Sequence, residues 1–128
     1  WAPPSDPYSP AWSECLAAAI SRSEVDRALL EVAPWENHFS QPGRLEAALT
    51  DAGFSLVVSD AVEFEFTCTV DQFLEDRELS SGGRLGLHLL GPAGWARVCG
   101  AAYDTFHTRF GSSFRYPRCA LVVIGRKP

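Results

Sequence analysis

His38 stands in the run PWENHFSQ, beside Glu36 and Asn37. An imidazole ordinarily titrates near neutral pH, so it can take a proton from a reacting hydroxyl or amine while an adjacent carboxylate orients the ring. His38 is therefore the candidate catalytic base. Tyr103 and His107 form a second group. One helical turn apart, they reach the same side of a helix, whereas Asp104 points away and supplies no orienting carboxylate. The bland alternatives are a hydrogen-bonded histidine at a loop-to-helix junction and a polar edge on an amphipathic helix. His88 has no partner at a useful spacing, Glu63 and Glu65 of the run EFE belong to a strand's outer face, and no Ser-His-Asp or Cys-His order is present.

Metal and nucleic-acid chemistry find little support. Cys15, Cys68, Cys99 and Cys119 are scattered, without a C-x-x-C pair or a neighbouring histidine at metal-ligand spacing, and read as reduced core thiols. Net charge is −5, which argues against a nucleic-acid surface. The charge is uneven: residues 1–78 hold 15 acids and 4 bases, residues 79–128 hold 1 acid and 7 bases. The two parts should attract each other. No secretory leader opens the chain, and its longest apolar runs are too short to cross a bilayer, so a cytoplasmic location is expected.

The elements that must position these residues are organised around FSQPGRLEAALTDAGFSLVVSDAVEFEF, residues 39–66. Ser40 or Gln41 can cap a helix, Pro42 suits its first turn, and Leu45, Ala48, Leu49 and Ala52 make one apolar face. Gly53 stops the helix, after which the period drops to two and Phe54, Leu56, Val58, Val62, Phe64 and Phe66 share one side of a long strand, expected to be the covered side. Upstream, four of the nine prolines lie in residues 1–10, predicting an extended loop, followed by a helix carrying Trp12, Leu16, Ala19 and Ile20. A second helix from Ser23 would bury Val25, Leu29 and Val32 before Pro34 ends it. Downstream, Thr69 and Gln72 form a capping box opening a helix with Phe73 and Leu74 inward. That helix should end in a turn at Ser80, Ser81, Gly82 and Gly83, while RLGLHLL is ambiguous. A longer helix from Pro92 carries Trp95, Val98, Cys99, Ala102, Phe106 and Phe110 and stops at Gly111. Finally CALVVI, residues 119–124, suits a strand covered on both faces.

At 128 residues the chain is one domain's worth. It contains no methionine and opens at Trp1 in WAPPSDPYSP, which reads as a fragment or processed chain. Two strands alone make a marginal sheet, so neighbours are expected from a sister chain, a separate polypeptide or a missing N-terminal half.

In their order, PWENHFSQPGRLEAALTDAGF, SLVVSDAVEFEFTCTVDQFL and CALVVIGRK resemble the C-terminal half of class I S-adenosylmethionine-dependent methyltransferases of the small-molecule, quinone and natural-product type. The resemblance implies an α/β fold. Residues 1–38 would be loop and cap helices, 39–67 a helix with strand six of a Rossmann-like sheet, 68–111 a helical insertion and 112–128 strand seven. It implies S-adenosylmethionine as methyl donor, yet the glycine-rich loop that holds it is missing here. It also makes the opening loop substrate territory, with Trp12, Trp35 and Phe73 as pocket walls and Asn37, Tyr103 and His107 as further contacts for a small, aromatic or polycyclic acceptor. The same rings equally suit a core. Rival readings are a dimerisation or ligand-binding module that completes its sheet with a sister chain, and a methyltransferase-like fold used for another reaction.

Overall fold

The structure, a computed structural model, describes residues 6–39, 41 and 43–128, the side chains of Glu36, Asn37 and Leu56 apart. The chain is mixed α/β and divides into two compact units. One joins Asp6–Ala33 to Phe66–Tyr116, and the other contains Pro34–Glu65 and Pro117–Pro128. Helices α1 (Tyr8–Ala17), α2 (Arg22–Val32), α3 (Pro34–Phe39), α4 (Arg44–Asp51), α5 (Val70–Leu79) and α6 (Ser81–Phe110) accompany strands β1 (Ser55–Thr69) and β2 (Ser113–Arg126). The strands pair antiparallel in a two-stranded sheet. Ser55 Oγ donates to the Arg126 carbonyl at one end, and the Val70 N–H donates to the Ser112 carbonyl at the other.

The helical unit holds the core. Phe73, Phe106 and Val70 are fully buried, and removing each such side chain from water stabilises by about 1.5–3 kcal/mol. Phe73 stacks on Phe106 at 4.6 Å between centroids, and Tyr8 stacks on Phe114 at 4.2 Å. Helices α1, α2 and α5 all pack on α6. The predicted opening loop does not extend through Pro10: Asp6 Oδ1 accepts from the N–H groups of Tyr8 and Ser9, and α1 starts at Tyr8, while residues 1–5 lie outside the described residues. That carboxylate satisfies donors a helix start leaves open, and Pro10 lies too early in the helix to break a hydrogen bond. In α2, Ser21 and Glu24 form a capping box, Val25 is buried and Leu29 half-buried. Val32, expected inside, is exposed.

Thr69 and Gln72 cap α5 reciprocally, as their spacing predicts. The expected turn at residues 80–83 is instead the start of α6, with Ser80 as its cap. RLGLHLL continues that helix, and the direction changes later, at Gly91, whose φ of 67° and ψ of 171° suit glycine alone. Pro92 then occupies the first turn of the second arm, where its missing N–H costs nothing. The bend folds the Trp95 ring onto Gly86. The stripe from Trp95 to Phe106 is buried along the second arm, and Gly111 caps its end.

The second unit is thinner. α4 ends in a Schellman motif: Gly53 at φ 85° donates to the Thr50 carbonyl and Phe54 to that of Leu49. Gly43 caps the start of α4, while the proposed capping by Ser40 and the first-turn role of Pro42 lie outside the described residues. Ser59, on the odd-numbered side of β1, donates from Oγ to Glu46 Oε1 of α4. The even-numbered side, expected to be covered, is open. Val58 is 65% exposed, and Val62 and Phe64 are exposed with it. On β2, Val122 and Ile124 are exposed too, Ile124 to 68%, so CALVVI is not covered on both faces. None of this unit's described residues is buried. No helix among the described residues is long and apolar enough to cross a membrane.

Candidate functional site

α3 carries Trp35 and His38 three residues apart on one short helix. Both are exposed. The His38 ring meets Phe39 edge-on at 5.1 Å. The side chains of Glu36 and Asn37, the proposed orienting carboxylate and amide contact, lie outside the described residues.

Trp12 and Phe73 belong to the core of the helical unit. Trp12 meets Trp95 edge-on at 5.8 Å, and Phe73 is enclosed by Phe106, Phe114 and Tyr116. The structure thus joins Trp12 and Phe73 in one cluster. Tyr103 and His107 lie together on the exposed side of α6, ring centroids 5.7 Å apart, as one helical turn requires. Asp104 is exposed nearby.

Other polar groups surround the core without having been legible as a group. The Trp95 indole donates to Glu78 Oε2 at 3.2 Å, the partner a buried Trp N–H needs. Arg77 lies over the Phe73 ring at 5.1 Å and donates from Nη2 to Asp76 Oδ2 at 2.6 Å and to the Tyr116 hydroxyl at 3.3 Å. The bond to Tyr116 ties α5 to β2. Burial pushes the Cys99 thiol above its ordinary range and the Glu78 carboxylate adds to the effect, so Cys99 stays protonated at neutral pH and is a poor nucleophile. Among the described residues no cluster of three or more His, Cys, Asp or Glu could hold a metal ion.

The helical unit also has a cleft of about 660 Å³ between α1 and α2. Its floor is apolar, and Ser9, Ser13 and Ala17 border it at helical spacing i, i+4, i+8, a pattern of small residues whose significance appears only once α2 is in place.

Neither strand leads into a glycine-rich loop. β1 runs straight into the capping box of α5, and the glycine clusters sit within α6. The described residues therefore do not fit a nucleotide-bearing cofactor in the manner of a dinucleotide-binding fold. The geometry defines a mixed α/β chain with an aromatic helical core and a lightly covered antiparallel ribbon. In comparisons with protein-family models, curated proteins and solved structures, nothing matches the chain.

Proposed function

We propose that the chain is the substrate-side portion of a class I S-adenosylmethionine-dependent methyltransferase acting on a small, aromatic or polycyclic molecule. The observation that carries this reading is the composition of the helical unit. Asp6–Ala33 and Phe66–Tyr116, which flank α4 and most of β1 in sequence, share one core. In the resemblance these stretches are the cap helices and the helical insertion, the parts that enclose an acceptor, while α4, β1 and β2 correspond to the last helix and strands of the sheet. The order helix, glycine stop, long strand, helical pair and terminal strand supports the same reading.

The cofactor-gripping half belongs to another polypeptide segment, in cis or in trans, and the isolated chain is inactive. Binding and orientation supply most of the rate in such a reaction. His38 serves as the base that removes the acceptor's proton. Calorimetric titration of S-adenosylmethionine into the 128-residue chain is expected to give no binding. Micromolar binding would overturn the half-enzyme reading. In a reconstituted, active assembly, His38→Ala should lower turnover about a hundredfold or more, and unchanged turnover would remove His38 from the mechanism.

A second reading, a dimerisation module, is favoured by the open apolar side of the ribbon at Val58, Val62, Phe64, Val122 and Ile124. Light scattering separates the two. A tight homodimer supports the module, whereas capture of a glycine-rich partner by a monomeric chain supports the half-enzyme.

A further inference from the structure

The cleft in the helical unit lies between α1 and α2, each of which packs on α6. Leu16, Ile20 and Val25 floor it, and α1 places the small side chains of Ser9, Ser13 and Ala17 along its border beside Pro10 and Glu14, leaving space that a leucine at Ser13 or Ala17 would occupy. Its volume, about 660 Å³, falls within the range of small-molecule sites.

The charged groups at its rim are already engaged. Arg22 pairs with Asp26 at 3.7 Å, Glu14 with Arg109 at 2.9 Å, and Ser9 Oγ donates to Asp6 Oδ2 at 3.0 Å. A charged ligand would give up its hydration against an apolar floor and find no uncompensated counter-charge. Ser13, which also lines the cleft, offers a hydroxyl for one hydrogen bond.

We propose that this cleft is a binding site for an uncharged, mainly apolar small molecule bearing a hydroxyl or carbonyl group that Ser13 holds. The proposal stands on the cavity alone and does not depend on the transferase reading.

The test titrates the whole chain with naphthol, a neutral bicyclic alcohol, and with naphthalenesulfonate, its anionic counterpart. Naphthol should bind one to one, and the sulfonate at least about tenfold more weakly. Ser13→Ala should weaken naphthol by about two- to tenfold, the worth of one hydrogen bond. Ala17→Trp, at an exposed position, should fill the cleft and abolish saturable binding while leaving the far-ultraviolet circular dichroism unchanged. If that variant does not fold, Ser13→Trp blocks the same space from the rim. Absence of saturable naphthol binding, equal affinity for the two probes, or undiminished binding in the folded tryptophan variant would each overturn the proposal.

Discussion

At the start of α2 the Ser21 hydroxyl, and after it the Ser21 N–H, hold the Glu24 carboxyl below the usual carboxylate range. A depressed folded-state value means stability that is present above the unfolded value, near 4.3, and lost as pH falls through the folded one. Glu24→Ala should therefore flatten the acid limb of the unfolding-midpoint profile and leave the neutral region nearly parallel to the parent, as thermal melts at stepped pH would show. Phe73 carries a sharper distinction. As a core ring stacked on Phe106 and fully buried, its replacement by alanine should cost about 3–5 kcal/mol in urea unfolding. A loss below about 1 kcal/mol would mean that the ring is a pocket wall with solvent at its back. The capping box of α5 was readable from Thr69 and Gln72 because it depends on residues three apart, whereas that of α2, on Ser21 and Glu24, was missed with the helix expected from Ser23. The neighbours of Trp12 and Phe73 were not readable, since an aromatic has the same local signature in a core as in a pocket.

Among the elements, α6 departs furthest from local expectation. Gly82 and Gly83 read as a turn because glycine weakens helices, yet at Gly83 an added Cβ would lie 1.8 Å from the Arg77 carbonyl oxygen. Glycine is present there to let the end of α5 meet the start of α6. Gly83→Ala should destabilise by about 2–3 kcal/mol despite alanine's better helix propensity, measurable by denaturant titration. A stabilised variant would mean that the two helices can separate without loss. β1 illustrates a different limit. Its period of two identified which residues share a side, but whether that side is covered depends on neighbours distant in sequence, and Val58, Val62 and Phe64 are exposed. The second arm of α6, by contrast, was legible from Trp95 to Phe106, since a stripe at helical spacing states its own inward face.

For the whole molecule, the excess of acids early in the chain and bases late is met at one point by the Glu14–Arg109 pair, which links α1 to the end of α6. Exposed as it is, that pair contributes about 0–1 kcal/mol, so the helical unit rests on its aromatic core. The division into two units was not legible, because each is assembled from stretches distant in sequence. It has a consequence for time as well as for space. β1 and β2 each pass from one unit to the other, with Cys68, Phe114 and Tyr116 buried at the helical end and Val58, Val122 and Ile124 exposed at the other. Amide hydrogens at 66–69 and 113–116 should exchange with solvent at least about tenfold more slowly than those at 57–64 and 118–124, a difference that mass spectrometry of labelled peptides would resolve. A single ladder of hydrogen bonds would then keep two clocks, one set by the opening of the core and one by fraying, and uniform protection along both strands would show that the ribbon opens as one piece.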